Sequence, residues 1–233
     1  TRAGRPREAM VPCEDALAAA RRSGDRFREA MALLRLAEAH FRLRDSEPAA
    51  RLALQAARLF KAAKQPLWRG RSLWAVACAR SAQGRSTEAD AAATEALALA
   101  RTTGDAFGIG NALNVLTFHE TDLARCKVVL DQALAAFEAA GYVDRMAMVR
   151  HNLANIYSGL GLHRHARRLL EDALAAYRQA GMEGGSVATS RWVLARNCHE
   201  LGDLAAAHEN LDAALVAWRQ LRMDILPAQE RFI

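Results

Sequence analysis

Aromatic residues, proline and paired cysteines are scarce in this chain of 233 residues. Aromatics make up 6% of the sequence and proline contributes five residues. β-Branched residues are also few, so an all-β fold is disfavoured. The four cysteines Cys13, Cys78, Cys126 and Cys198 stand far apart without a CxxC pair. This spacing argues against a disulfide framework or a four-cysteine zinc site, and it favours a reducing cytoplasm.

Long apolar runs are absent as well. The longest uncharged stretch near the middle, 106–118, contains glycine and asparagine, and no run reaches the ~18 apolar residues of a membrane helix. No secretory signal is visible. The sequence begins at Thr1 rather than at methionine, so we expect a fragment of a longer protein. From these features we expect a cytoplasmic chain with no membrane contact.

Alanine and arginine dominate what is present. The chain has 52 alanines, 29 arginines and three lysines; 52% of its residues are hydrophobic and 25% are charged. Alanine and arginine are strong helix formers. The chain is too apolar and too weakly charged to be disordered. The composition therefore predicts a globular, all-α fold.

An internal repeat organises the helical runs. Dipeptides that end one run recur at spacings of 40, 40, 37, 40 and 40 residues. They are Gly24-Asp25, Lys64-Gln65, Gly104-Asp105, Gly141-Tyr142, Gly181-Met182 and Leu221-Arg222. A second turn series, each member followed five residues later by alanine, lies inside the copies: Gly4, Arg44, Gly84, Gly161 and Gly202. Each copy is thus predicted to be two helices with a turn between them.

This register predicts one domain over 1–233 that begins and ends inside a repeat. The predicted parts are a half-repeat at 1–24, five full repeats at 25–64, 65–104, 105–141, 142–181 and 182–222, and a stub at 223–233. The 37-residue copy is the irregular one. Its internal turn, which has no glycine, is expected near Asp122 to Arg125, where three residues are missing. The three missing residues are consistent with a tolerated deletion in a turn and also with a local change in the pitch of the superhelix.

The residues at these phases carry a family resemblance. The pattern Leu153-Ala154, Tyr157, Gly161, Ala166 and Ala173-Leu174 resembles the tetratricopeptide repeat, in the 40-residue variety found in bacterial signalling and regulatory proteins. The resemblance implies a right-handed α-solenoid of antiparallel helix pairs, with about five full repeats and a leading half-repeat. HEAT-like repeats lack this phasing. RNA-reading helical repeats are the nearer competitor.

No catalytic or metal-binding constellation is evident from the spacing. His163 and His165 are expected in a solvated turn between helices, without an acidic or cysteine partner at metal spacing. Cys198 and His199 are neighbours whose side chains diverge on a helix. We therefore expect no enzyme activity, no metal and no cofactor.

The resemblance implies that the first helices of the pairs line a concave groove that binds extended peptides or helices. Apolar anchors beside amides suit such recognition. The groove residues implied in this way are Arg71, Trp74, Asn111, Asn114, Phe118, His151, Asn155, Trp192 and Arg196. A purely structural role, with the tryptophans covering the core between repeats, is the alternative.

The net charge of +6 is concentrated in one stretch. No acidic residue occurs from Pro48 to Thr87, whereas the remainder of the chain carries −2. The basic residues of this patch are Arg51, Arg58, Lys61, Lys64, Arg69, Arg71, Arg80 and Arg85. Because no acid lies within the stretch, i,i+4 pairing there is excluded. An acidic segment of the parent chain, an acidic external partner or nucleic acid, and a solvated face are the alternatives.

Two classes of function follow. The first is a protein-interaction scaffold, as the regulatory or sensor region of a larger bacterial signalling protein, that binds a peptide or partner segment in the groove. The second is a small-molecule sensor of a transcription activator, or a nucleic-acid-binding helical repeat that uses the basic patch. A steep loss of affinity with salt would indicate nucleic acid, and an enclosed apolar pocket would indicate a metabolite.

Overall fold

The computed structural model describes the backbone of residues 6–220 and the side-chain environment of 10–220. Eleven α-helices and no strand occupy this part of the chain. The helices are α1 (Pro6–Ser23), α2 (Arg26–Arg42), α3 (Ser46–Ala62), α4 (Pro66–Ala82), α5 (Ser86–Thr103), α6 (Ala106–Leu116), α7 (Leu123–Ala139), α8 (Val143–Gly159), α9 (His163–Gln179), α10 (Gly185–Glu200) and α11 (Leu204–Gln220). The predicted turns at Gly4 and Leu221-Arg222 and the stub 223–233 lie outside the described residues.

Eleven helices without a strand in the described part of the chain confirm the predicted all-α class. The chain divides into two compact units, one ending at Thr121 and the other beginning at Asp122. Within the first unit, consecutive helices from α1 to α6 pack on one another, and the first helices α2, α4 and α6 also contact in that order. Within the second unit, consecutive helices from α7 to α11 pack, and α8 contacts α10.

The turns after the second helices share one hydrogen-bond pattern. The amide of Asp25 donates to the carbonyl of Ala20 at 3.0 Å, and the amide of Gln65 donates to that of Phe60 at 2.9 Å. This six-to-one bond is the Schellman arrangement, which requires a residue of positive φ. Glycine fills that position in most turns, but Arg44 and Lys64 adopt it with φ of 64° and 53°. Every member of the two predicted turn series that lies within residues 6–220 has a positive φ.

The core is built from positions one repeat apart. Six corresponding positions near the ends of the second-helix runs carry either alanine or a large aromatic side chain, and all are at most 3% exposed. They are Ala20, Phe60, Ala100, Phe137, Tyr177 and Trp218. Phased alanines at Ala49, Ala89 and Ala166 are also at most 2% exposed. Alanine at these points lets neighbouring helices approach, while the large residues fill the space between them.

The irregular copy differs from expectation in where its turn lies. Helix α6 has 11 residues and ends at Leu116, so the turn spans 117–122 rather than 122–125. Asp122 is the N-cap of α7, and its carboxylate accepts hydrogen bonds from the amides of Ala124 and Arg125. The predicted turn was wrong because these residues form the first turn of a helix whose cap is aspartate rather than glycine.

The lengths and hydropathies of the helices bear on whether any of them spans a membrane. None within residues 6–220 combines the length and the apolar character that crossing a bilayer requires.

Candidate partner-binding site

A polar cluster joins the first helices of the second unit, on the face where the sequence predicts a groove. His151 lies on α8, and its Nδ1 is 2.9 Å from the hydroxyl oxygen of Ser190 on α10. The amide nitrogen of Asn155, one turn further along α8, is 3.1 Å from Nε2 of His151. With that amide as donor, Nε2 is the acceptor, so the ring proton resides on Nδ1 and is donated to Ser190.

This arrangement keeps His151 uncharged. Burial, and to a lesser extent the positive charge of Arg196, lowers the pKa of His151 to about 4. A neutral imidazole is consistent with its two contacts, since one nitrogen donates and the other accepts. The cluster therefore carries one fixed positive charge, that of Arg196, across the neutral pH range.

Arg196 and Trp192 form the other half of the cluster, on α10. The guanidinium carbon of Arg196 lies 5.4 Å from the centre of the Trp192 ring, in cation–π geometry. One guanidinium nitrogen donates to the hydroxyl of Ser158 on α8 at 3.3 Å. The indole nitrogen of Trp192 is buried and has no hydrogen-bond partner among the described residues. Asn155, which contacts His151 on α8, is exposed, so the two helices carry an amide, a guanidinium and an aromatic ring.

In the first unit, Arg71 has a structural partner. Its Nε and one terminal nitrogen each donate to a carboxylate oxygen of Asp105 at 2.9 Å. Asp105 is only 7% exposed. Because it directly precedes α6, its ion pair with Arg71 links α4 to the start of α6. The guanidinium also lies over the rings of Trp68 and Phe107, at 5.2 Å and 5.1 Å. Arg71 thus belongs both to the predicted groove and to the basic patch, and it is engaged within the chain.

The other predicted groove residues of the first unit lie at different depths. Asn111 and Asn114 are 1% and 4% exposed, and the Asn111 amide donates to the carbonyl of Phe107 at 2.8 Å. Trp74 packs edge-on against Phe107 with ring centres 6.0 Å apart. Phe118 lies beyond the end of α6 and is 49% exposed. Both amides are buried and have interactions within the chain, so neither belongs to the proposed site.

Half of the basic patch is neutralised by acids from outside it. Arg69 pairs with Glu95, and Arg71 pairs with Asp105. Arg80 pairs with both Glu47 and Glu88, and Arg85 pairs with Glu88. The sequence excluded pairing only within the stretch, and the fold supplies acids from neighbouring elements. Four exposed residues on or just after α3 form no ion pair with the described residues: Arg51, Arg58, Lys61 and Lys64.

A serine, a histidine and an aspartate meet at the 117–122 turn, and spacing along the sequence did not indicate them. The hydroxyl of Ser81 is 3.1 Å from Nε2 of His119, whose Nδ1 is 3.2 Å from a carboxylate oxygen of Asp90. Acyl transfer also needs donors for an oxyanion. The amides of Gln83 and Gly84 are bonded to the carbonyls of Arg80 and Ser81 instead. We therefore assign this trio to fastening the turn.

We expect His119→Ala to lower the free energy of unfolding by about 1 kcal/mol for each hydrogen bond lost. Ser81→Ala is expected to hydrolyse p-nitrophenyl acetate at the wild-type rate, because the amides of Gln83 and Gly84 are already bonded to carbonyls and do not stabilise an oxyanion. Chemical denaturation and release of nitrophenolate measure the two effects. Slower ester hydrolysis in Ser81→Ala, with an unchanged circular dichroism spectrum, would instead indicate a nucleophilic serine.

The remaining histidine and cysteine candidates have packing roles. His163 begins α9 rather than lying in a solvated turn, and its Nδ1 is 2.9 Å from the side-chain oxygen of Asn197. His165 stacks on Tyr157 with ring centres 5.6 Å apart. Burial raises the pKa of the Cys198 thiol, which disfavours the thiolate needed of a nucleophile. Among the described residues, no group of three or more metal-ligating side chains comes together.

Comparisons of sequence support the repeat family. A family model described as tetratricopeptide repeat matches residues 145–220. Regulatory protein AfsR from Streptomyces griseus is 32% identical over 150 residues, which cover 63% of this chain and 15% of that protein. This chain therefore spans only a small part of the length of that relative.

Comparisons of structure support the fold. BtubC (BKLC) from P. vanneervenii superposes with a TM-score of 0.70 and 18% identity, over 95% of this chain and 94% of that one. NprR in complex with its cognate peptide NprX superposes with a TM-score of 0.68 and 15% identity, over 91% of this chain and 63% of NprR. At these identities the likeness is one of fold, and it confirms the helical repeat architecture.

Proposed function

We propose that this chain, whose residues 145–220 match the tetratricopeptide repeat, is a non-enzymatic scaffold in the regulatory region of a larger protein, and that it binds a peptide or partner segment. The proposed surface is the α8–α10 face: His151, Asn155, Trp192 and Arg196. The observations that carry the proposal are the exposed Asn155 amide on α8 and, on α10, the buried indole N–H of Trp192, which has no partner among the described residues. Amides bond a peptide backbone in either direction, and an indole donates one further hydrogen bond.

Two similarities support this proposal. NprR, which has the same fold, was crystallised with its cognate peptide, and the relative AfsR is described as a regulatory protein. The first helices carry the site because they contact one another within the unit, so residues one repeat apart come together on one face. The partner's chemistry, the acidic segment expected from the basic patch and the cytoplasmic location stay predictions.

Selection of a displayed random-peptide library on the full chain tests the proposal. We expect selected peptides to bind Asn155→Ala/Trp192→Phe at least about tenfold more weakly than wild type, a loss of about 1.4 kcal/mol. Phenylalanine keeps an aromatic ring at this position, although a smaller one, and removes the N–H. Fluorescence anisotropy with labelled peptides measures the affinities.

A matched double variant on the opposite side of the pair controls for nonspecific effects. Arg164 and Arg168 are exposed on α9, so Arg164→Ala/Arg168→Ala should bind the selected peptides as wild type does. Failure to select any peptide, or equal affinities for the site variant and wild type, would refute the α8–α10 face as the binding surface.

A further inference from the structure

Arg196 differs from the other groove arginine because no carboxylate of the described residues pairs with it. Arg71 is held by both oxygens of Asp105. No acidic side chain among the described residues lies within ion-pair distance of Arg196, and its one polar contact there is the Ser158 hydroxyl at 3.3 Å. A guanidinium has five N–H donors, so most of the donors of Arg196 are not used within the described chain.

The position of Arg196 makes this incomplete pairing informative. The residue is half-buried, and the ring of Trp192 covers one of its faces. Stacking fixes the plane of the guanidinium, so that its edge can donate two parallel hydrogen bonds to one anion. A solvated arginine without a role would instead be expected to extend into water, as the exposed residues of α3 do.

We propose that Arg196 binds a carboxylate of the segment that docks on the α8–α10 face. The inference rests on the proposed function for the partner, but the anion site itself is defined by this chain alone. A side chain of aspartate or glutamate and a free C-terminus offer the same chemistry. The neighbouring amide of Asn155 lies on the same helix face as Ser158, three residues away, and can bond the adjacent peptide group.

A monoanion fits this site better than a phosphate. The nearest titratable group, His151, stays neutral because its burial lowers its pKa to about 4, so Arg196 supplies the single positive charge of the cluster. One arginine balances one carboxylate. A phosphate near neutral pH carries up to two negative charges, and the second would lie uncompensated in a partly buried site.

Blocked amino acids test the anion site without a known partner. The probes are N-acetylglutamate N-methylamide, N-acetylalanine with its free carboxyl group, neutral N-acetylglutamine N-methylamide, and N-acetylphosphoserine N-methylamide. The indole N–H of Trp192, assigned by its loss in Trp192→Phe, reports binding to the full chain by NMR at low ionic strength. We expect a saturable shift with one or both carboxylates and none with the glutamine probe.

Arg196→Gln is expected to weaken carboxylate binding at least about tenfold, as loss of a charge-assisted contact should. Arg191→Gln is the matched control, since Arg191 lies on the same helix but bonds Asn210 on α11, and it should bind carboxylates as wild type does. A retained response in folded Arg196→Gln, an equal response to the glutamine probe, a preference for the phosphate probe or no response at all would each overturn the proposal.

The two proposals fail differently. Peptides that bind the α8–α10 face equally well with and without their carboxylates would leave the partner-binding function standing and remove the carboxylate site. Carboxylate probes that bind at Arg196, in a chain on which no peptide is selected, would establish the anion site and remove the peptide function.

Discussion

Arg71→Ala is expected to lower the free energy of unfolding by about 3 kcal/mol. The substitution leaves Asp105 at 7% exposure without the two hydrogen bonds that compensate its burial. It also removes the guanidinium from between Trp68 and Phe107. Urea denaturation followed by circular dichroism measures the loss.

A second substitution separates the buried charge from the lost packing. In Arg71→Ala/Asp105→Asn the remaining side chain is uncharged, so we expect part of the stability to return. Arg85→Ala is the control: its partner Glu88 is exposed, and such surface pairs contribute about 0.5 kcal/mol. Equal losses in Arg71→Ala and Arg85→Ala would mean that the Arg71–Asp105 pair is not structural.

The second large effect is a loss of stability in mild acid caused by His151. Its pKa is about 4 in the folded chain and about 6.5 when unfolded. Between these values the unfolded chain binds more protons at His151 than the folded chain does. The free energy of unfolding is therefore unaffected by this histidine above pH 6.5 and falls as the pH drops towards 4. At about 1.4 kcal/mol per pH unit, the loss approaches 3 kcal/mol.

Urea denaturation at several pH values, with His151→Gln beside wild type, isolates this histidine from the other six. We expect His151→Gln to show a shallower decline between pH 6.5 and 4. His208→Gln serves as the control, because its side chain is 79% exposed and the decline should keep the wild-type slope. Parallel curves for wild type and His151→Gln would show that His151 is not held neutral by the fold.

The helical fold was predictable because its signals are local and repeated. A turn residue of positive φ and the phased alanines recur at nearly constant spacing. Each copy of the repeat therefore supports the helix assignment of the others. The position filled by Phe60, Phe137 and Trp218 was not recognised, because alanine and tyrosine occupy it in other copies. The early end of α6 was also missed, since the His119 contacts that hold the next turn come from α4 and α5.

The candidate site was predictable only in part. Helical periodicity places Asn111 and Asn155 on the faces of first helices, but it does not give depth, and one is buried whereas the other is exposed. Likewise, Arg71 and Arg196 both occupy the predicted groove. Only the fold shows that Asp105, 34 residues along the chain, compensates Arg71 whereas Arg196 has no such acid among the described residues.

The polar contacts between neighbouring pairs also bear on the order in which repeats associate. Alanine and leucine surfaces are nearly interchangeable from copy to copy, so apolar packing alone would tolerate a helix pair against the wrong neighbour. The links differ: Arg71 bonds the buried Asp105 in one unit, and His163 bonds the buried Asn197 in the other. A mispaired copy would bury a charge or an amide without its complement. These contacts therefore favour the native order of neighbouring helix pairs over other orders during folding.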